Sequence, residues 1–208
     1  MYKALVFLLL YLIHSNCLAD EFGPVVKLKI AQGKERAECS GVVIGEDDKK
    51  YYVLSCNHLF LTIKNPEYII TSVYTKDSEV VSVDIKCKLI KSDYDYDLSY
   101  FSMIKVDSVR LTPLSLSSSN LLINSKGNAL GFPYDSVKLV SNELVIESYG
   151  EYKSQGGVIL LRCKGPVKSG MSGGPLIANN EVYGILSTGA DTYGTFVPAF
   201  ECINFLKK

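Results

Sequence analysis

The sequence predicts an all-β protein built as two barrels, and three observations carry that prediction. Short runs rich in β-branched and aromatic residues recur along the chain at near-regular spacing, separated by polar turns. A Ser-rich stretch, Leu114 to Asn124, interrupts them near the midpoint. Only Ala199 to Lys207, following Pro198, reads as a helix. Many short strands argue for a barrel or a sandwich, and a linker near the middle favours two barrels.

Residues 1 to 19 stand outside this fold. Lys3 gives a basic start, Ala4 to Ile13 form an apolar run, and Cys17-Leu18-Ala19 ends on small residues. That is the layout of a secretory signal peptide cleaved after Ala19. A membrane anchor is the alternative, but the run spans only about half of a bilayer core. The expected mature chain, 20–208, is therefore secreted or periplasmic, with no stable membrane insertion. Its expected halves are 20–115 and 125–208.

The strands follow in order. Val25 to Ile30 partly alternates, as a half-buried strand does. Cys39 to Ile44 and Tyr51 to Ser55 are apolar runs joined as a hairpin by the polar turn Gly45 to Lys50. Tyr68 to Tyr74, Val80 to Ile85 and Leu98 to Ile104 carry the residue types of strands. Beyond the linker come Lys126 to Gly131, Val137 to Ser148, Val158 to Cys163, Pro175 to Ala178, Val182 to Ser187 and Thr195 to Val197.

Composition removes several function classes. Apolar residues make up 47% and charged residues 21% of the 208, which suits an ordinary globular core. The 22 basic and 22 acidic residues cancel, so no strong field attracts nucleic acid or an anionic membrane. Of six cysteines, Cys17 lies in the leader, leaving Cys39, Cys56, Cys87, Cys163 and Cys202. Export permits disulfides, but an odd number leaves at least one thiol free or intermolecular. Metal binding is not expected, because there is no C-x-x-C pair and only one histidine outside the leader.

Three sites carry candidate chemistry. His58 ends an apolar strand, Val53 to His58; it is the imidazole that remains after leader removal, and imidazole suits proton transfer near neutrality. Asp97 directly precedes the run Leu98 to Ile104, a placement that buries its carboxylate where it needs a partner. Asp93 and Asp95, earlier in the same loop, read as turn caps or solvated acids. Gly170-Met171-Ser172-Gly173-Gly174-Pro175 reads either as a glycine-rich hairpin loop or as a nucleophile loop. In the second reading its glycines let the backbone turn so that the N–H groups of Gly170 and Ser172 form an oxyanion hole beside the Ser172 hydroxyl. The order His, Asp, Ser places the first two in one half and the serine in the other, unlike the orders of subtilisins and α/β-hydrolases.

With these motifs the chain resembles the trypsin/chymotrypsin-fold serine proteases, and is more similar to their compact bacterial HtrA-like branch than to vertebrate digestive enzymes. The resemblance covers roughly residues 38 to 200 and also runs through Cys39 to Ile44, Gly127 to Pro133, Val182 to Ile185 and Gly194 to Pro198. It implies two six-stranded-type, chymotrypsin-like barrels with a short C-terminal helix, and a serine endopeptidase acting on polypeptides without metal or cofactor. His58 would be the base, Asp97 the orienting carboxylate and Ser172 the nucleophile. Gly189 and Gly194 would border the specificity pocket, while Ser187 and Gly189 bind substrate backbone as an added strand. Pro166, Val167 and Leu186 fall near the pocket without charge, implying small or medium apolar side chains; Asp191 could reverse this by folding inward.

Departures from the family pattern shape further expectations. Leu59 stands where digestive members have a cysteine; Cys56 precedes His58 instead, and a Cys39–Cys56 bridge stays open. Met171 stands where those enzymes carry the aspartate of their zymogen ion pair, so no such switch is expected. Residues up to Lys208 leave no room for the PDZ domain that HtrA proteins carry, so a PDZ-less form is expected. The alternatives are a catalytically silent protease-fold peptide-binding protein and an esterase. No oligomeric state is assigned.

Overall fold

The computed structural model describes residues 25–32, 35–60, 67–74, 80–107, 109–152 and 157–208; the segment expected to be a leader, 1–19, lies outside them. The first six strands are β1 (Val25–Gln32), β2 (Glu35–Glu46), β3 (Lys50–Cys56), β4 (Glu67–Tyr74), β5 (Val80–Asp93) and β6 (Leu98–Ile104). They close into an antiparallel barrel in the order β1-β2-β3-β6-β5-β4. The second barrel comprises β7 (Lys126–Gly131), β8 (Val140–Tyr152), β9 (Val158–Lys164), β10 (Pro175–Ala178), β11 (Glu181–Ala190) and β12 (Tyr193–Pro198), in the order β10-β11-β12-β9-β8-β7. Helix α1 (Ala199–Lys207) ends the chain. The expected architecture is thus the observed one.

The pleat explains why the central strands read as unbroken apolar runs. Side chains alternate faces along a strand. Val43 and Val53, register partners between β2 and β3, face the first barrel's core with Leu28, Ile70 and Phe101. Their neighbours Val42 and Leu54 face the other way and pack with Leu98, Ile185, Val197 and Phe205. Both faces are therefore buried, one inside a barrel and one between the two barrels. The second barrel has its own core of Leu144, Leu161, Met171, Leu176 and Phe196.

Several strands outrun their sequence signals. β5 continues through Lys86, Lys88 and Lys91 to Asp93, where alternating lysines conceal a strand whose other face packs Cys87 and Leu89 on the barrel. β8 starts at Val140, leaving Val137 exposed in the preceding loop. β11 and β12 extend toward each other through Thr188↔Thr195, Gly189↔Gly194 and Ala190↔Tyr193, although glycine is a poor strand former. Helix α1 buries Ala199, Cys202 and Phe205 at helical spacing. Tyr96 lies against Phe205, with ring centroids 6.1 Å apart, so the helix braces the loop that carries Asp97.

Candidate active site

β3 and β6 pair down to Cys56↔Leu98, which brings the residues following β3 beside the residue preceding β6. Past Cys56 the chain makes a short 3-10 turn, His58–Phe60. Asp97 meets it with its backbone in the left-handed region, φ 52. The Asp97 carboxylate is buried and accepts main-chain N–H bonds from Asn57 (3.0 Å) and His58 (2.6 Å) on Oδ1. The His58 Nδ1 lies 2.9 Å from Oδ2 and 3.1 Å from Oδ1. The imidazole remains part-exposed, its side chain 32% accessible. Asp93 instead accepts from the N–H groups of Asp95 and Tyr96 and caps the turn.

Ser172 arrives from the other barrel, on the loop between β9 and β10. The loop turns sharply at Gly170 (φ 91) and Gly173 (φ 82), where a side chain is disfavoured. A Cβ on Gly173 would strike the Ser40 carbonyl and the Ser55 hydroxyl; one on Gly170 would strike the backbone of Phe132 to Tyr134. The Gly173 N–H donates to Leu186 (2.7 Å) and the Leu186 N–H to Gly174 (2.8 Å), which ties the loop to β11. Among the described residues, neither the Gly170 nor the Ser172 N–H meets an acceptor.

The serine reaches the other two groups through β11. Its Oγ donates to the Ser187 carbonyl at 3.3 Å, not to His58. The Ser187 hydroxyl is buried and donates to Asp97 Oδ2 at 2.5 Å. The family resemblance implies only a substrate-backbone role for Ser187; its bond to Asp97 joins residues 90 apart and leaves no local signal.

The remaining predicted site residues cluster beside the loop. Gly189 and Gly194 are direct partners across β11 and β12; the Val167 side chain fills the space a Cβ on Gly189 would need, and the Phe196 ring together with Val167 the space at Gly194. Val167 is buried and donates its N–H to Ala190 at 3.1 Å. Asp191 sits exposed at the β11–β12 turn and does not fold inward. The five described cysteines are free thiols. Burial, with Cys39 and Asp97 nearby, pushes the Cys56 thiol up, so the cysteine closest in sequence to His58 is a neutral group and not a thiolate nucleophile.

Comparison with known proteins follows the same lines. A family model described as a trypsin-like peptidase domain matches residues 39–185. The chain superposes on the Rv3671c protease from M. tuberculosis in its active form at TM-score 0.70 and 20% identity, covering 92% of this chain and 82% of that one. Deg5 gives 0.71 at 20% identity, with 91% and 90% covered. A serine endoprotease from Yersinia pestis gives 0.66 at 20%, with 88% and 61% covered. No curated protein matches the chain. At such identities the superpositions carry the fold, and the family match carries the kinship.

Proposed function

Because the chain belongs to the trypsin-like peptidase family of serine-type endopeptidases, we propose that it cleaves polypeptides through a triad of Ser172, His58 and Asp97. The observation that carries this reading is the seat of the imidazole. A buried carboxylate, held by two main-chain N–H groups and the Ser187 hydroxyl, lies 2.9 Å from His58 Nδ1. Donation from Nδ1 fixes the tautomer and leaves Nε2 as the base.

Turning Ser172 about its Cα–Cβ bond moves the hydroxyl from the Ser187 carbonyl toward Nε2. His58 takes the proton as Oγ attacks the peptide carbonyl, and the N–H groups of Gly170 and Ser172 receive the oxyanion. His58 then protonates the leaving amine, and water, activated by the same imidazole, hydrolyses the acyl-enzyme. Ser187 and Gly189 present main-chain groups to the substrate as an added strand, and Gly194 completes the pocket wall with Gly189.

The leader motif adds export: the protein acts outside the cytoplasm, and N-terminal sequencing of exported material returns Asp20 as the first residue. The central test is labelling by a serine-reactive fluorophosphonate. The wild-type protein labels and Ser172→Ala does not; an unlabelled wild type would leave a peptide-binding protein instead of an enzyme.

A further inference from the structure

From Ser169 to Ser172 the four carbonyls of the serine loop are tied one after another. Ser169 accepts from the Tyr134 N–H (2.8 Å), Met171 from the Gly174 N–H (2.9 Å) and Ser172 from the Ser40 N–H (2.8 Å). These are backbone bonds that no ordinary substitution removes. The remaining carbonyl, Gly170, accepts from a side chain, the Ser40 hydroxyl at 3.0 Å. That hydroxyl in turn accepts the Phe132 N–H at 2.8 Å, which commits its single proton to Gly170. Ser40 is fully buried, so water cannot replace it.

A trans peptide points its N–H away from its C=O. Fixing the carbonyls therefore aims the N–H groups, and the peptide of the Gly170 carbonyl lies between those bearing the Gly170 and Ser172 N–H groups. If it rotates, the two free donors no longer converge. Charge does not hold this peptide in place, since Met171, between the two donors, is buried in the apolar core of the second barrel; its N–H end donates to the Lys168 carbonyl at 3.1 Å, and the Ser40 hydroxyl ties its carbonyl end.

We propose that Ser40 is a positioning residue: its hydroxyl, by bridging Phe132 N–H and Gly170 C=O, holds the Gly170–Met171 peptide so that the Gly170 and Ser172 N–H groups converge on the oxyanion. The inference rests on the reading of the site as a serine peptidase. It spans three segments far apart in sequence, β2, the end of β7 and the serine loop, which is why no local motif announces it.

The test compares Ser40→Ala with Ser55→Ala. Ser55 also donates a buried hydrogen bond, to the Ser40 carbonyl at 2.6 Å, but touches no carbonyl of the serine loop. Loss of one oxyanion donor costs about a hundredfold or more in kcat, so loosening both donors in Ser40→Ala costs about tenfold or more, with KM within about twofold. A peptide aldehyde, whose adduct places an oxyanion in the same position, loses affinity by the same factor. Ser55→Ala lowers Tm but keeps kcat, and Ser40→Thr, which retains the hydroxyl, recovers turnover. If Ser40→Ala does not fold, Ser40→Cys keeps the side chain's shape with only a weak donor and is held to the same criteria. Unchanged kcat in the Ser40 variant, or equal losses in Ser40 and Ser55 variants, overturns the proposal. A wild-type protein that neither labels nor cleaves removes both readings; a labelled wild type with an unimpaired Ser40 variant removes this one alone.

Discussion

At Asp97 a non-glycine residue holds a left-handed backbone, φ 52, and the same residue buries a carboxylate. The first feature costs about 1 kcal/mol or more, and persists where the surroundings over-determine it. Here the carboxylate's bonds to Asn57, His58 and Ser187 supply that determination. The position thus trades local strain for orientation of the imidazole, and the two can be separated. Asp97→Ala is expected to lose about 10⁴-fold in kcat, as removal of an orienting carboxylate does, while retaining the strained backbone. Asp97→Gly should be equally inactive yet more stable than Asp97→Ala, because glycine adopts this φ freely. Thermal melts beside kcat measurements decide it; near-full activity in either variant, with loss in Asp93→Ala or Asp95→Ala instead, would sink the assignment. Combined with Ser172→Ala the loss should not add, since in the proposed triad the three groups act as one unit. Asp97 was legible in the sequence because an acid directly before an apolar run must be buried and paired. Its bond to Ser187 was not, because nothing in a strand's own residues tells which distant carboxylate its hydroxyl meets.

Elements were legible where burial on both faces made an apolar run, as in β3, β6 and β10, and less so where lysines alternate, as along β5. The glycines of β11 and β12 concealed strand, and two of them, Gly189 and Gly194, are the residues proposed above to border the specificity pocket. Val167 packs against both, joined at Gly194 by the Phe196 ring. The specificity pocket proposed at these glycines, so lined, would suit small or medium apolar side chains, and the exposed Asp191 supplies no counter-charge for a basic one. Profiling a peptide library should show cleavage after small apolar residues, and Val167→Ala should move the preference to larger ones; strong cleavage after Arg or Lys by the wild type would refute this. The serine loop yields a second test at this scale. With Met171 buried where an ion pair would need an acid, the loop is held by packing and by its tied carbonyls. Extra residues ahead of Asp20 should leave turnover unchanged, whereas a trypsin-type switch predicts an inert extended form. Met171→Asp should destabilise by several kcal/mol, about 3 or more, because its charge has no partner in the apolar core; an unshifted Tm would contradict that account.

Over the whole molecule the free thiols set a pH limit on stability. Burial pushes Cys87 and Cys163 up to about 12, the latter helped by Glu147. It raises Cys202, beside Glu201, and Cys56, beside Cys39 and Asp97, in the same direction. In the unfolded chain a thiol titrates near about 8.5. Above that pH the unfolded state releases protons that the folded state keeps, so the unfolded state binds fewer, and stability falls as pH rises. The contribution is complete below about 8.5 and is lost progressively toward 12. Tyrosines in the unfolded chain are half ionised at about 10 and lysines slightly higher; Tyr52, Tyr68, Tyr100 and Tyr149 are raised in the fold as well, as is Lys105 by its bond to Glu46. From about 8.5 to 9.5 the thiols therefore dominate the decline, and the tyrosines join it toward 10. Each barrel contributes: Cys56 and Cys87 in the first, Cys163 in the second, and Cys202 in the helix that packs against the surface between them. Tm measured between about pH 7 and 10 should stay level at first and then decline. Cys163→Ala and Cys202→Ala, although less stable at neutral pH, should each show a shallower decline. A wild-type Tm that stays flat to pH 10 would mean that the thiols ionise alike in both states, and that burial does not hold them neutral.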